Sequence, residues 1–250
     1  MLNLSLDHLL AIRWRQGHRT LKRPSLPDRF QGFPVLRPES CRGCEACVQA
    51  CPSGAIRRDG PLSLDLGRCL FCGECAAVCP NEAIRFTQEH RLATRRREAL
   101  VLNGEEFERA QALDKKMKRV FGRSLKLREV SAGGCNACEA DVNVLGTVTY
   151  DLGRFGIQFV ASPRHADGLL ITGPVTENMR SALLETYEAV PAPKLVIAVG
   201  ACAISGGIFP GHEGVPPLLP VDLFVPGCPP HPWTILDGLL RLLGRMEDQK

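Results

Sequence analysis

The chain has 250 residues, of which 44% are apolar and only 6% aromatic, and its formal net charge is +4. A length of that order holds one large domain or two modest ones with real cores. Composition argues against a membrane span, since no run reaches the roughly 18 apolar residues needed and the best candidate, Leu195 to Phe209, is broken by glycines and a serine. The basic surplus, without interleaved aromatics, does not indicate nucleic acid.

Residues 1–40 carry seven Lys/Arg against three Asp/Glu. Within them Leu6, Leu9, Leu10, Ile12 and Trp14, interrupted by Arg13 and Arg15, predict one amphipathic helix. Its apolar face suits either a partner or the edge of its own domain. The basic run Arg19, Lys22 and Arg23 suits an anionic lipid surface or an acidic partner. Asp7 falls early in the apolar stretch and the arginines follow it, which is not a secretory pattern. The expectation is a cytosol-side protein, where cysteines bind metal more readily than they form disulfides.

Twelve cysteines fall into three sets of four. Eight form C-x2-C-x2-C-x3-C-P twice, at Cys41, Cys44, Cys47, Cys51 and at Cys69, Cys72, Cys75, Cys79. The two runs lie 28 residues apart as an internal repeat. Four thiolates are what one [4Fe-4S] cluster takes, so the count predicts three clusters. In a protein with two such runs the fourth cysteine of each serves the other cluster. Applied here, Cys41, Cys44, Cys47 and Cys79 make one site, and Cys69, Cys72, Cys75 and Cys51 the second. Pro52 and Pro80 end the short helix carrying each fourth cysteine. Gly43 and Gly73 give room around the clusters, and Ile56 to Leu66 predicts a hairpin turning at Asp59-Gly60. One C-x2-C pair would leave zinc open; two four-cysteine runs favour iron-sulfur.

The motifs CRGCEACVQACPSGAI and CLFCGECAAVCPNEAI resemble a bacterial two-[4Fe-4S] ferredoxin domain. Residues 1–90 are similar to the ferredoxin-like subunit of formate hydrogenlyase and of respiratory NADH:quinone oxidoreductase. That resemblance implies that residues 1–40 dock along integral membrane-arm subunits.

Residues 91–130 carry twelve Lys/Arg against six Asp/Glu and predict a charged helical connector with one helix near 104–121. From 131 onward the pattern is α/β. Strands are expected at Ile157 to Val160, Gly168 to Thr172, Leu195 to Val199 and Asp222 to Val225, with helices near 138–150, 176–188 and 233–244. Cys202 and Cys228 follow two of those strands, at the edge where open α/β sheets bind ligands. Cys135 and Cys138 can meet them there from a loop entering a helix. Spacing alone leaves zinc or unrelated buried thiols open for these four; the two-cluster domain ahead favours a third redox centre. Glycines at 133, 134, 200, 206, 207 and 227 fit backbone packed around a bulky group.

GGCNACEADV at 133–142, SPRHADGLLITGPVT at 162–176, GACAISGGIF at 200–209 and PGCPPHPWTIL at 226–236 carry a second resemblance. Residues 124–246 are similar to the small subunit of membrane-bound, energy-converting [NiFe] hydrogenases and to its counterpart in NADH:quinone oxidoreductase. The resemblance implies a flavodoxin-like domain in which Cys135, Cys138, Cys202 and Cys228 hold a [4Fe-4S] cluster facing a large catalytic subunit. The respiratory counterpart has adjacent cysteines where this chain has Cys-x2-Cys, which favours the hydrogenase side. Ala137 stands where the hydrogenase motif has glycine.

Four further residues are candidates for coupling or for the surroundings of the third site. Glu139 caps its helix at the surface or relays a proton. Arg164 and His165 bind a partner or tune the site, and His231 stands near the fourth cysteine without being needed as a ligand. Asp167 and Asp237 read as loop and helix-surface positions. The glycine-rich GGIFPGHEG lacks the strand-to-helix placement of a nucleotide loop. The expected organisation is a docking segment (1–40), a two-[4Fe-4S] ferredoxin domain of α+β type (41–90), the connector (91–130) and an α/β open parallel-sheet domain (131–250).

No complete active site emerges. The expected function is an electron-transfer subunit with three [4Fe-4S] clusters in a membrane-associated [NiFe] hydrogenase. Its expected partners are a large catalytic subunit, membrane-arm subunits and an upstream electron donor or acceptor protein, with no nucleic acid. The alternative is the same subunit in a complex whose large subunit lacks nickel.

Overall fold

A computed structural model describes residues 26–58, 60–104 and 106–246. The amphipathic helix expected around Leu6 to Trp14, and Asp59 of the expected hairpin turn, lie outside these residues.

The first half holds two small antiparallel sheets. Strands β1 (Pro34–Leu36) and β4 (Ile84–Phe86) pair, with Val35 opposite Arg85. Strands β2 (Ile56–Arg57) and β3 (Ser63–Asp65) form the expected hairpin, with Ile56 opposite Leu64. A third strand, β5 (Val101–Leu102), extends this sheet along the far side of β3. Between them run two short helices, α1 (Ala46–Ala50) and α2 (Glu74–Ala77), each carrying one buried cysteine.

The expected connector is an ordered strap. Its helix, α3 (Lys115–Phe121), is shorter than 104–121 and is capped by Asp114, whose side chain accepts from the backbone N–H of Met117. Ahead of it the chain is non-helical, with Ala110 bonded to the carbonyl of Ala93 and Leu113 to that of Leu242. The apolar recurrence read as a helix there comes from Ala110 and Leu113 being buried by this strap.

The second half is a five-stranded parallel sheet in the order β10-β9-β8-β6-β7. It opens with β6 (Leu125–Ser131), a strand that falls inside the expected connector. Then come β7 (Ile157–Phe159), β8 (Gly168–Thr172), β9 (Leu195–Val199) and β10 (Leu223–Val225). Counted within this domain the order is 5-4-3-1-2, the flavodoxin-like winding, whose direction reverses between its first and third strands. Every residue of β8 and β9 is buried, as in parallel strands covered on both faces. One face packs α4 (Ala137–Val144) and α7 (Pro232–Leu242), joining Val142 and Leu236 to Leu127 and Ile197. The other face packs α5 (Glu177–Ala189) and α6 (Ala201–Ser205), and it shares a continuous core with the first half. Leu64, Leu66 and Leu100 belong to the same apolar cluster as Ile171, Ala198 and Ile204.

Two contacts bind the halves, and an ion pair within the first half supports the second of them. Thr94 forms a reciprocal backbone bridge with Phe224 on β10. The Arg97 guanidinium grips both oxygens of Asp65, at 2.8 and 2.6 Å, while Asp65 also accepts from the N–H of Gly67. This fixes the turn from which the Gly67 carbonyl accepts the hydroxyl of Ser205, on α6, at 2.9 Å.

Candidate functional site

The two cysteine runs fold alike because each loop takes the left-handed backbone twice, two and four residues after its first cysteine. In the first run these are Gly43 (φ 80°) and Glu45 (φ 59°); in the second, Phe71 (φ 54°) and Gly73 (φ 80°). Each loop thus spends one glycine on one such position and leaves a side-chain residue at the other, which costs on the order of 1 kcal/mol or more. Such loops wrap the chain around a space instead of filling it with side chains.

Two spaces result, and their walls mix the runs. One is lined by Cys41, Cys44, Cys47 and Cys79, with Arg42 and Arg58 at its rim. The other is lined by Cys51, Cys69, Cys72 and Cys75, among apolar neighbours including Ile56, Leu64 and Phe86. The fourth cysteine of each run therefore stands with the other run's first three. Backbone N–H groups point at three sulfurs: Ala55 to Cys51 at 3.2 Å, Phe71 to Cys69 at 3.3 Å and Ala83 to Cys79 at 3.3 Å. Burial, followed by neighbouring thiols, pushes the Cys75 thiol up to about 12. Burial does the same at Cys69, also to about 12, and Cys51, Cys72 and Cys75 add to the rise. Cys75 senses Cys47 as well, so the two spaces are neighbours.

The third set assembles at the carboxyl edge of the parallel sheet. Cys135 comes from the loop after β6 and Cys138 from the first turn of α4, which Asn136 precedes with a left-handed φ of 70°. Cys202 lies in α6 directly after β9, and Cys228 follows β10. All six pairs among these four thiols are close enough for a charge on one to raise the pKa of another. Burial is the largest cause at Cys202, pushed up to about 11, and raises Cys138 and Cys228 as well. Glycines make the room: a Cβ on Gly200 would stand 2.6 Å from the sulfur of Cys138, and one on Gly207 2.8 Å from that of Cys202.

Among the described residues no three His, Cys, Asp or Glu side chains converge as ligands of a single metal ion do. A cubane is held at its corners, so its thiolates stand farther apart than those around one ion. The two wall sets fit that larger group, with thiols facing a shared space and N–H groups on sulfur; the third quartet fits it through mutual proximity and glycine where a Cβ would meet its sulfurs.

The other candidates lie as follows. Glu139 is buried and faces the sheet, accepting from Ser131 Oγ and Thr172 Oγ1, both at 2.6 Å. Burial pushes its pKa up, but the two hydroxyl bonds outweigh this and hold it below the ordinary range. The expected surface placement is thereby corrected, for this carboxylate ties α4 to the ends of β6 and β8. His231 caps α7, its Nδ1 accepting from the N–H of Trp233 at 3.2 Å. Its ring meets Phe30 edge-on at 5.4 Å, and burial lowers its pKa. Arg164 and His165 are exposed on a short 3-10 turn ahead of β8, a strand's length from the carboxyl edge where the thiols gather.

Asp237 is not on a helix surface. It is 2% exposed and pairs with Arg241, 3% exposed, at 2.8 Å within α7. Asp167 accepts from the N–H of Lys126 at 2.7 Å, pinning the start of the sheet. Sequence reasoning also passed over Arg58 and Glu129. Arg58 donates to the Gly43 carbonyl at 2.8 Å. Burial, then the nearby Glu139, pushes the Glu129 carboxyl up to about 7. Neither position carries a sequence signal.

Residues 135–242 match the family model described as NADH ubiquinone oxidoreductase, 20 Kd subunit, and residues 40–83 match that of the 4Fe-4S dicluster domain. A probable membrane-bound hydrogenase subunit of Pyrococcus furiosus is 40% identical over 150 residues, 58% of this chain and 89% of that protein. Formate hydrogenlyase subunit 7 of Escherichia coli is 44% identical over 144 residues, covering 55% of this chain and 54% of its own length. An NADH-quinone oxidoreductase component of Citrifermentans bemidjiense is 43% identical over 120 residues, 47% of this chain and 71% of that one.

Proposed function

The chain belongs to the family of the 20 Kd subunit of NADH ubiquinone oxidoreductase, with a 4Fe-4S dicluster domain in the same polypeptide, and from that premise we propose that it is the electron-transfer subunit of a membrane-associated [NiFe] hydrogenase. In this reading Cys41, Cys44, Cys47 and Cys79 hold one [4Fe-4S] cluster, Cys51, Cys69, Cys72 and Cys75 a second, and Cys135, Cys138, Cys202 and Cys228 a third. Each such cluster, when bound, supplies reversible one-electron storage. The chain carries electrons between a redox protein docked at the ferredoxin-like end and a large catalytic subunit at the carboxyl edge of the sheet. The large subunit there reduces protons or oxidises hydrogen. Residues 1–40 dock on the membrane arm from the cytoplasmic side. Among the described residues no helix is long and apolar enough to cross a membrane.

The observation that carries this reading is the seam. The turn bearing Gly67, two residues before Cys69, hydrogen-bonds Ser205 on the same short helix as Cys202. The second and third thiol sets are thus joined through a buried contact and a shared apolar core. The chain itself fixes their separation, with no need for a diffusive encounter.

Relatives in hydrogenase and in quinone-reducing complexes match about equally well, so a complex without nickel is the second reading. Purification from the native membrane, with metal analysis of the co-purifying large subunit, separates them. Nickel near one per complex supports the hydrogenase, and its absence from an active complex supports the alternative. A chain recovered alone, with no large subunit, would overturn both.

A further inference from the structure

The walls of the two spaces in the dicluster module differ in charge. Among the described residues, the wall of the space shared by Cys51, Cys69, Cys72 and Cys75 has no charged side chain. The one shared by Cys41, Cys44, Cys47 and Cys79 has Arg42, Arg58 and Glu45. Of these three, Arg58 is fixed in place. Its Nη1 donates to the Gly43 carbonyl at 2.8 Å, and its guanidinium lies so flat on Gly43 that a Cβ there would stand 2.4 Å from Nη2. Gly43 occupies the left-handed position directly before Cys44. The missing side chain at this glycine is therefore what admits the cation to the cysteine loop.

Reduction adds one negative charge to whichever site receives the electron. A fixed cation stabilises that added charge, whereas an apolar wall with buried thiols opposes it. We propose that Arg58 sets the redox order of the module, making the Cys41/Cys44/Cys47/Cys79 site the more readily reduced of the two. The proposal rests on the dicluster reading above. Arg58 is a positioning residue: it touches the loop backbone and acts on the site through its field. The planar fork matters, since lysine would keep the charge but could not both lie on Gly43 and hold its carbonyl.

The test is a dithionite titration of the full chain with full iron content, followed by electron paramagnetic resonance, comparing wild type with Arg58→Gln, Arg58→Lys and Gly43→Ala. In Arg58→Gln one module signal moves to more negative potential. The share of the electron on that site falls by up to about tenfold, equivalent to about 59 mV for one electron. Arg58→Lys lies between wild type and Arg58→Gln. Gly43→Ala, whose Cβ expels the guanidinium, shifts the same signal in the same direction. Cys44→Ala abolishes the signal that moved, which assigns it to the first site. The proposal is overturned if no signal moves in Arg58→Gln at full iron content, if both module signals move equally, or if Cys44→Ala removes the other one. A wild-type chain with a single module signal would overturn the dicluster reading itself, and the proposal with it.

Discussion

Replacing Gly200 by alanine tests whether the third thiol set encloses a bulky group. Gly200 follows β9 with φ 91° and ψ 156°, a region that only glycine occupies readily. It is buried, its N–H bonds the carbonyl of Val225 at 2.9 Å, and its own carbonyl accepts from Ile204. The backbone is therefore held from both sides and cannot turn to relieve an added methyl. Backbone strain costs about 1–3 kcal/mol. The Cβ would stand 2.6 Å from the sulfur of Cys138, against a comfortable carbon contact of about 3.5–4.0 Å, and overpacking of that kind adds about 1–3 kcal/mol. A loss of about 2–6 kcal/mol is expected, lowering the melting point by on the order of 10 °C. The displaced sulfur should also cost this site its iron, dropping bound iron from about twelve to about eight per chain. Calorimetry and iron analysis read both effects. Gly153→Ala is the control, because nothing lies within 4 Å of its Cβ and its φ is ordinary, so it should be neutral. Full iron and an unshifted melting point in Gly200→Ala would refute the assignment of Cys138 to a packed site.

Three further outcomes follow from the geometry. Cys79→Ala should remove the group held by the first run, and Cys51→Ala that held by the second, so each leaves about eight iron atoms per chain; spectra in which a variant loses its own run's site would contradict the crossed arrangement. Ser205→Ala should cost about 1 kcal/mol by leaving the Gly67 carbonyl without its buried donor, and hydrogen exchange around residues 65–69 should speed up relative to the rest of the module. Glu129 carries a raised folded pKa, about 7 against an ordinary 4.5. Its protonated form therefore stabilises the fold fully below about 4.5, and that contribution is lost as pH rises through about 7. Glu129→Gln should thus flatten the loss of stability between about pH 4.5 and about pH 7, by on the order of 1 kcal/mol after allowance for its partial exposure. Parallel wild-type and variant melting curves at both pH values would rule this out.

Cysteine spacing made the two runs legible, because the fourth cysteine of each, four residues after the third, follows the pattern in which it serves the other cluster. Strands β8 and β9 were legible for the opposite reason: nothing but apolar residues fits a strand covered on both sides. Strand β6 was not. Its sequence LKLREVS puts Lys126, Arg128 and Glu129 among the apolar positions, and its charge blends with the basic stretch before it. Its pairing with β7 and β8 comes from tertiary register, which no local pattern encodes. Asp237 was hidden similarly. Its partner Arg241 lies four residues on, a spacing that normally marks a solvent-facing pair, yet α7 is buried around most of its circumference by Ile235, Leu236, Leu239 and Leu240. The role of Gly43 was half visible. A glycine in a cysteine loop signals left-handed backbone, but its contact with Arg58 spans 15 residues.

The winding of the sheet raises the question of why this domain does not present a nucleotide crevice. In the 2-1-3-4-5 order the ligand crevice opens between the first and third strands, here β6 and β8. That crevice is closed by the chain itself. Gly134, after β6, lies against Gly173, after β8, so closely that a Cβ on Gly173 would stand 2.6 Å from the Gly134 nitrogen. Just inside that contact the Glu139 carboxylate takes the hydroxyls of Ser131 and Thr172, the last residues of the same two strands. Two glycines and one buried carboxylate thus seal the place where a flavodoxin-like sheet would admit a flavin or phosphate. The seal directs the β6 loop sideways, toward the ends of β9 and β10, where Cys202 and Cys228 stand. The thiol site is therefore displaced by the width of a strand from the usual binding position of the fold, toward α6 and the seam with the dicluster module.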